Sequence, residues 1–203
     1  MTTTSILLAV LLGLGLSAST GLNTFLPLLL LSAAARYHIA GITLGAKFHW
    51  LASDVAIVVL IIACVVEIIA DKFPAVDHFL DVVGAFVRPL AGATAAASVL
   101  TGVDPTVAAI AGIIIGAPTS FGFHSLKAAT RVASSATTFG CANPLLSLIE
   151  DVVSFALSLF AIFAPITVPL LLLIIGWALW RVVKRMRRTT TPPATSATAG
   201  SAP

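Results

Sequence analysis

Two long stretches of the chain carry no charged residue. Each is longer than the apolar segments that a small soluble domain buries. Residues 2–35 and residues 152–180 contain no Asp, Glu, Lys or Arg. A transmembrane helix needs about 20 consecutive apolar residues, so each stretch is longer than a single crossing. Only 9% of the 203 residues are charged, whereas soluble domains contain about 25%. These features exclude a soluble globular fold and predict an integral membrane protein.

The apolar segments predict six transmembrane helices. The second uncharged stretch divides near Pro165 and Pro169, because proline ends helices and the whole stretch is too long for one crossing. We therefore expect an all-α polytopic membrane protein, with a transmembrane domain at 1–188 and a disordered polar tail at 189–203. The predicted spans are 2–35, 50–70, 84–103, 105–123, about 145–164 and about 167–186.

The basic residues predict the orientation of these spans. With both termini cytoplasmic, nine of the eleven Lys and Arg residues lie on the cytoplasmic side, in agreement with the positive-inside rule. Arg36 and Lys47 are then the two on the outer side. The same rule accounts for the basic cluster after Trp180, so we predict no nucleic-acid partner. We expect a multi-pass protein in the lipid bilayer of the cell inner (plasma) membrane.

The two halves of the chain share an internal repeat. Residues 21–36 align without a gap to residues 116–131, and the shared glycine, threonine and arginine residues carry the match. The halves, about 5–103 and 104–188, each contain three predicted spans, so the second half enters the membrane from the opposite side. This arrangement predicts an inverted 3+3 repeat with interrupted helices, an architecture that many transporters share.

Glycine and proline interrupt the predicted spans at matching places, at residues 21–27 and 116–122. An interrupted helix frees backbone groups that only protein or a water-filled cavity can satisfy, so these places predict a binding site near the membrane midplane. Close helix packing through small residues is the alternative, and both interpretations stay open. The polar candidates at the interruptions are Asn23, Thr24, Thr119 and Ser120.

Two polar stripes follow each other along the second half of the chain. His124, Lys127 and Arg131 share one helix face with Ser120, and the next predicted helix begins with Glu150 and Asp151 among serines. Lys127 or Arg131 can pair with Glu150 or Asp151 and so lock the two helices together. The functional alternative is a hydrated pathway with His124 as its titratable residue. Further charge-pair candidates are Arg36, Asp54 and Arg88.

Four acidic residues lie at short intervals at the end of the second predicted span and just after it. Carboxylate pairs of this kind can ligate a hard divalent cation such as Mg²⁺ or Ca²⁺. They can equally be neutralised by Lys72, Arg88 or the cations of the second half. No other cofactor is predicted, and no hydrolase or nucleotide-binding motif is present. The four candidate metal ligands are Glu67, Asp71, Asp77 and Asp81.

The charged blocks carry a resemblance to a known family. The patterns ExxxDKxPxxDxxxDxxxxxxRPxAG and HSxKAxxR…NPxxSxxED resemble the signature blocks of the domain of unknown function 4126 family, a group of small bacterial membrane proteins. The resemblance covers about residues 21–165. It implies a polytopic membrane protein and no established activity.

These observations favour a small transporter or channel for an unidentified ion or solute, with a polar pathway between the two halves. A chain of this length forms a thin bundle, so we expect a homo-oligomer. The alternatives are a membrane-embedded metal-dependent enzyme that uses the acidic 67–81 segment, and a non-catalytic assembly or scaffold protein. Enzyme activity stays open, and the sequence assigns no catalytic residue.

Overall fold

The structure is a computed structural model that describes residues 3–189, without the side chains of 74–80, 137 and 186–189. The described residues form an all-helical chain without β-strands. Short 3₁₀ segments lie at Ile39–Gly41, Ala46–Ala52 and Pro165–Thr167, and a π-helical segment lies at Gly112–Gly116. The helices are α1 (Thr3–Leu22), α2 (Phe25–Arg36), α3 (Asp54–Ala70), α4 (Pro74–Val99), α5 (Pro105–Ala111), α6 (Ala117–Thr138), α7 (Asn143–Phe163) and α8 (Val168–Thr189).

Within the described residues, five helical segments are long and apolar enough to cross a membrane. The count is six if the segment Ala46–Ala52 and α3, which meet at a bend of 65°, form one span. The all-α class is thus confirmed, and the apolar helices are compatible with a membrane-embedded protein. The predicted tail at 189–203 lies outside the described residues, apart from Thr189 at the end of α8.

Local sequence signals set several helix boundaries. Proline occupies the first turn of α4, α5 and α7, where its missing N–H costs no helical hydrogen bond. The Asp104 side chain caps α5 by accepting from the backbone N–H groups of Thr106 and Val107. The predicted turn between the last two spans is confirmed, since α7 ends at Phe163 and α8 begins at Val168.

Helix α1 is the central helix of the bundle and packs against α4, α6 and α7. Its second half is buried and consists largely of small residues, including Ser17, Ala18 and Ser19 with no exposed surface. Small residues allow helix backbones to approach closely in membrane proteins. The outer surface of the bundle, on α3 for example, exposes branched apolar side chains such as Val55, Val59 and Ile62. Such side chains are expected on a lipid-facing surface.

The two expected interruptions differ in the structure. The first is a break, because α1 ends at Leu22 and α2 begins at Phe25. The second is not, because helical structure continues from α5 through the π-helical segment into α6. A Cβ atom on Gly116 would meet the carbonyl of Gly92 on α4, and one on Gly112 would lie 2.5 Å from the carbonyl oxygen of Ala93. These glycines therefore serve close packing of helices, the alternative interpretation of the sequence.

Candidate binding site at the helix break

The break between α1 and α2 consists of Asn23 and Thr24, both buried. A helix end leaves carbonyl groups without partners at its C-terminus and N–H groups without partners at its N-terminus. Such groups must be satisfied inside the protein when they lie in a membrane. The break therefore presents carbonyl oxygens of α1 and amide groups of α2 to the surrounding helices.

The carboxylate of Glu67, from α3, binds the N-terminus of α2. It accepts hydrogen bonds from the backbone N–H of Thr24 at 3.0 and 2.9 Å, from the Thr24 hydroxyl at 2.6 Å and from the Phe25 N–H at 3.1 Å. Arg88 Nη2 donates to the same carboxylate at 3.3 Å. A helix N-terminus is a favourable place for an anion, because its N–H groups and dipole both attract negative charge.

Two cations bind the other side of the break. Arg88 Nη1 donates to the carbonyl oxygen of Gly21 at 3.1 Å, and Lys127 Nζ donates to that of Leu22 at 2.9 Å. Positive charge is favourable at a helix C-terminus for the same electrostatic reason. The break thus has a carboxylate at its amide end and two cations at its carbonyl end.

A buried ion-pair cluster lies next to the break and consists of Asp71, Lys127, Arg131 and Glu150. Asp71 Oδ2 lies 2.9 Å from Lys127 Nζ and 3.3 Å from Arg131 Nη2. Glu150 Oε2 lies 2.8 Å from Arg131 Nη2 and 3.4 Å from Lys127 Nζ. Each acid thus contacts both bases. Because their charges balance, the cost of burying each group is offset by its partners.

Asp151 belongs to a separate pair at the edge of this cluster. It accepts from Lys72 Nζ at 3.0 Å and from the Asn23 side-chain amide at 3.0 Å. Lys72 also donates to the Ser147 hydroxyl at 2.9 Å. Asn23 completes the connection, because its Oδ1 accepts from the Leu26 N–H at 3.0 Å and so caps α2. One residue of the break therefore joins α2 to α7.

His124 is buried beside Arg88, with Nδ1 at 3.1 Å from Arg88 Nη1. A guanidinium group only donates hydrogen bonds, so Nδ1 must accept and the imidazole is neutral in this arrangement. Ser120 donates to the Arg88 carbonyl oxygen at 2.7 Å and accepts from the Thr20 hydroxyl at 3.1 Å. The His124 imidazole and the Ser120 hydroxyl, both on α6, thus hold the side chain and the backbone of Arg88 in place.

A cavity of about 460 Å³ lies between α3 and α4 and reaches the helix break. We call it the lateral cavity. Its polar lining residues are Thr24, Glu67 and Arg88. Its volume lies in the range of small-molecule binding sites, about 300–1,000 Å³. Its apolar lining residues are Phe25, Val59, Ile62, Ala63, Val66, Val83, Gly84 and Val87.

Most of the predicted pathway residues lie together in this region. Asn23, Thr24, His124 and Lys127 contact the break directly or through Arg88, while Arg131 lies in the cluster and Ser120 supports Arg88. Thr119 does not join them, because it is half-buried and donates to the Ile115 carbonyl oxygen of its own helix.

The charge-pair candidates have different partners in the structure. Arg131 pairs with Glu150, as expected from the sequence, but Asp151 pairs with Lys72 from another part of the chain. Arg36 and Asp54 pair with each other at 2.9 Å on the exposed surface, away from the site. From the sequence, Lys72 was considered only as a partner of the acidic residues at 67–81, and its separation of 79 positions from Asp151 carries no local spacing signal.

The candidate metal ligands do not converge in the part of the chain that the structure describes. Glu67 and Asp71 form ion pairs with Arg88, Lys127 and Arg131. Asp81 is half-buried, and the side chain of Asp77 lies outside the described residues. The described residues contain no group of three or more His, Cys, Asp and Glu side chains that could hold a metal ion.

Comparisons with known proteins agree with the sequence resemblance. The family model described as a domain of unknown function (DUF4126) matches residues 10–185, a range that contains the helix break, the ion-pair cluster and the lateral cavity. No curated protein and no solved structure matches the chain. The match extends the resemblance beyond residues 21–165 at both ends. The chain therefore belongs to the DUF4126 family.

Proposed function

We propose that the protein is a small transporter or channel for an inorganic or organic anion, and that its binding site is the helix break. It belongs, in this proposal, to the inner (plasma) membrane, crosses it six times as an inverted 3+3 repeat and has both termini in the cytoplasm. In a homo-oligomer, several copies of this thin bundle together supply enough helices to enclose a pathway. The observation that carries the proposal is the position of the Glu67 carboxylate.

The order of elements supports the repeat. Each half begins with two consecutive helices. In the first half these are α1 and α2, which the break separates; in the second they are α5 and α6, which the π-helical segment joins. The repeat-related arginines each pair with an acid of the next long helix, Arg36 with Asp54 of α3 and Arg131 with Glu150 of α7. In inverted-repeat transporters, substrates bind where a discontinuous helix exposes its ends near the midplane.

Glu67 occupies what is chemically an anion site. Two backbone N–H groups, a hydroxyl and a guanidinium converge on its two carboxylate oxygens. A substrate anion of similar size would accept the same hydrogen bonds if Glu67 moved away. Two negative charges cannot share so small a buried site, so the displaced Glu67 would take up a proton. Each anion that binds would therefore be accompanied by one proton.

The ion-pair cluster provides the gate in this mechanism. Asp71, Lys127, Arg131 and Glu150 are buried, and in the proposed orientation they lie on the cytoplasmic side of the break, with Asp71 at the end of α3. Each base has two acidic partners. A passing anion could thus replace one acid at a time without leaving a buried cation unpaired, which would otherwise cost about 3–5 kcal/mol.

His124 has a supporting role in this proposal. Its Nδ1 accepts from Arg88, and Lys127 lies one helical turn further along α6. Protonation of the imidazole would replace this acceptor with a donor and add a third cation beside Arg88 and Lys127. Titration of His124 during transport stays a prediction, and His124→Ala tests it through a change in the pH dependence of flux.

Anion flux into liposomes tests the proposed function. Liposomes that contain purified protein should pass at least one of chloride, nitrate, formate and acetate down a gradient. Glu67→Gln should change this flux by roughly tenfold or more, equivalent to about 1.4 kcal/mol in a barrier, because an amide cannot exchange a proton. Asp54→Asn is the matched control, since Asp54 belongs to an exposed pair. Folded protein that shows no flux, or a Glu67→Gln variant with the same flux as the unmodified protein, would favour a structural role for the buried charges.

A further inference from the structure

The lateral cavity opens between two helices that contact each other little along their length. Its walls include Val59, Ile62 and Val66 of α3, whose side chains are 57%, 59% and 59% exposed. On a membrane helix, exposed branched apolar residues face lipid. The cavity is therefore accessible from the hydrocarbon of the bilayer, and an apolar group is the appropriate occupant for its walls.

The inner end of the cavity is polar. Arg88, only 1% exposed, lines the cavity, and its Nε has no hydrogen-bond partner. Gly84 lies beside this atom, and a Cβ at that position would be 3.0 Å from Nε. A buried N–H without an acceptor is destabilising, because the group has lost its hydrogen bonds to water. An acceptor oxygen from a molecule in the cavity would remove that cost.

The charges at this end define the acceptor more closely. Arg88 and Glu67 form an ion pair there, and the N–H groups of Thr24 and Phe25 are directed at the Glu67 carboxylate. A carboxylate on the occupant would accept from Arg88 Nε and could then replace Glu67 at the N-terminus of α2. An ester or alcohol could accept from Nε but would carry no charge to compete with Glu67.

We propose that the lateral cavity binds an amphipathic carboxylate, such as a fatty-acid anion, that enters from the bilayer between α3 and α4. The alkyl chain lies between Val59, Ile62 and Val66 on one side and Val83 and Val87 on the other. The carboxylate lies at Arg88. This inference rests on the proposed anion site and names the class of anion that the site selects.

Photolabelling in lipid nanodiscs tests this proposal with dodecanoate that carries a diazirine at the chain end. Saturable labelling should map to the cavity residues of α3 and α4, and unlabelled dodecanoate should displace it. Methyl dodecanoate and phospholipid should displace it poorly. This measurement on the unmodified chain needs no variant to fold. Labelling spread evenly over the lipid-facing helices, or equal displacement by the ester or by phospholipid, would overturn the proposal.

Two variants of α3 sharpen the result. Ala63→Phe fills the cavity and should lower labelling by roughly tenfold, as steric exclusion from an apolar pocket does. Val58→Phe is the matched control, because Val58 is 54% exposed on the same helix and does not line the cavity. Equal labelling of both variants would contradict binding in the cavity.

Flux of formate and acetate, measured on the same preparations, separates the two proposals. Flux without saturable labelling overturns the amphipathic substrate and leaves the proposed anion transport intact. Saturable labelling that Ala63→Phe abolishes, without flux of any anion, supports carboxylate binding and overturns transport. If both hold, dodecanoate should inhibit acetate flux in the unmodified protein, and Ala63→Phe should relieve that inhibition.

Discussion

Arg88 Nη2 donates to Glu67 Oε1 at 3.3 Å, and the same guanidinium reaches the Gly21 carbonyl oxygen through Nη1. One arginine thus contacts the end of α1 while its acidic partner binds the start of α2. Both side chains are more than nine-tenths buried. The arrangement stabilises a break in the central helix by supplying each helix end with the charge that its dipole favours.

The Arg131–Glu150 pair should show strong coupling in a double-mutant cycle. Arg131→Gln and Glu150→Gln should each destabilise the protein by about 3–5 kcal/mol, because each leaves a buried charge with one partner fewer. The double variant should lose clearly less than the sum. Thermal unfolding in detergent measures all three changes.

The exposed pair of Arg36 and Asp54 is the control for this cycle, since its side chains are 45% and 75% exposed. Arg36→Gln and Asp54→Asn should change the midpoint of thermal unfolding little. Additive losses at Arg131 and Glu150 would show that the two residues do not interact.

Two glycines of the same helical stretch should respond oppositely to alanine. A Cβ at Gly116 would lie 2.9 Å from the Ala93 Cα of α4, whereas nothing lies within 4 Å of one at Gly122. Gly116→Ala should therefore cost about 1–3 kcal/mol through overpacking. Gly122→Ala should be neutral or gain about 0.5–1 kcal/mol, because alanine favours a helix over glycine. Equal melting temperatures for the two variants would contradict the close contact between α4 and the π-helical segment.

Reporter fusions in the first half and at the end of the second half should report opposite sides of the membrane. A fusion after Gly45, between α2 and α3, should report the outer side, and a fusion after Thr189 should report the cytoplasm. The reason is the concentration of lysine and arginine on the cytoplasmic side. The same signal from both fusions would remove the inverted arrangement of the two halves.

Asp104 should make the stability of the α5 terminus depend on pH. Hydrogen bonds from the backbone of Thr106 and Val107 lower the pKa of its carboxyl below the usual range. A lowered folded-state pKa means that the stabilisation is complete above the unfolded value of about 3.9 and is lost as the pH falls through the folded value. Asp104→Ala should therefore melt below the unmodified protein near neutral pH.

That difference should narrow as the pH falls below the unfolded value. Asp104→Asn keeps a capping acceptor without the charge, so its midpoint should depend less on pH than that of the unmodified protein. A constant difference between Asp104→Ala and the unmodified protein across the whole range would contradict the role of the ionised cap.

The fold could be predicted from the sequence where the signals are local. Uncharged stretches and prolines predicted the last two helices and the turn at Pro165, and the charged stripes of consecutive helices predicted the contact of Arg131 with Glu150. The break at Asn23 was predicted from the same kind of signal. The prediction of a second break, at residues 116–122, was wrong. Glycine occurs in broken helices and in closely packed ones, and only the position of α4 distinguishes the two cases.

The centre of the site could not be predicted in this way. Glu67 meets Thr24 across 43 residues, and Lys72 meets Asp151 across 79. Helical spacing shows which residues share a face of one helix but not which helices become neighbours. The sequence therefore left a metal site open for the acidic residues of the first half, and the structure pairs Glu67 and Asp71 with cations from α4 and α6.

Proton uptake on anion binding tests the central claim most directly. Formate or acetate is added to purified protein in weak buffer near neutral pH, and the change in pH is compared with the amount of anion bound. The account predicts uptake of about one proton per anion, because the displaced Glu67 cannot stay charged beside the anion. Asp54→Asn should behave like the unmodified protein, and Glu67→Gln should bind the anion without proton uptake. Anion binding with no proton uptake by the unmodified protein, or equal uptake by Glu67→Gln, would contradict the displacement of Glu67.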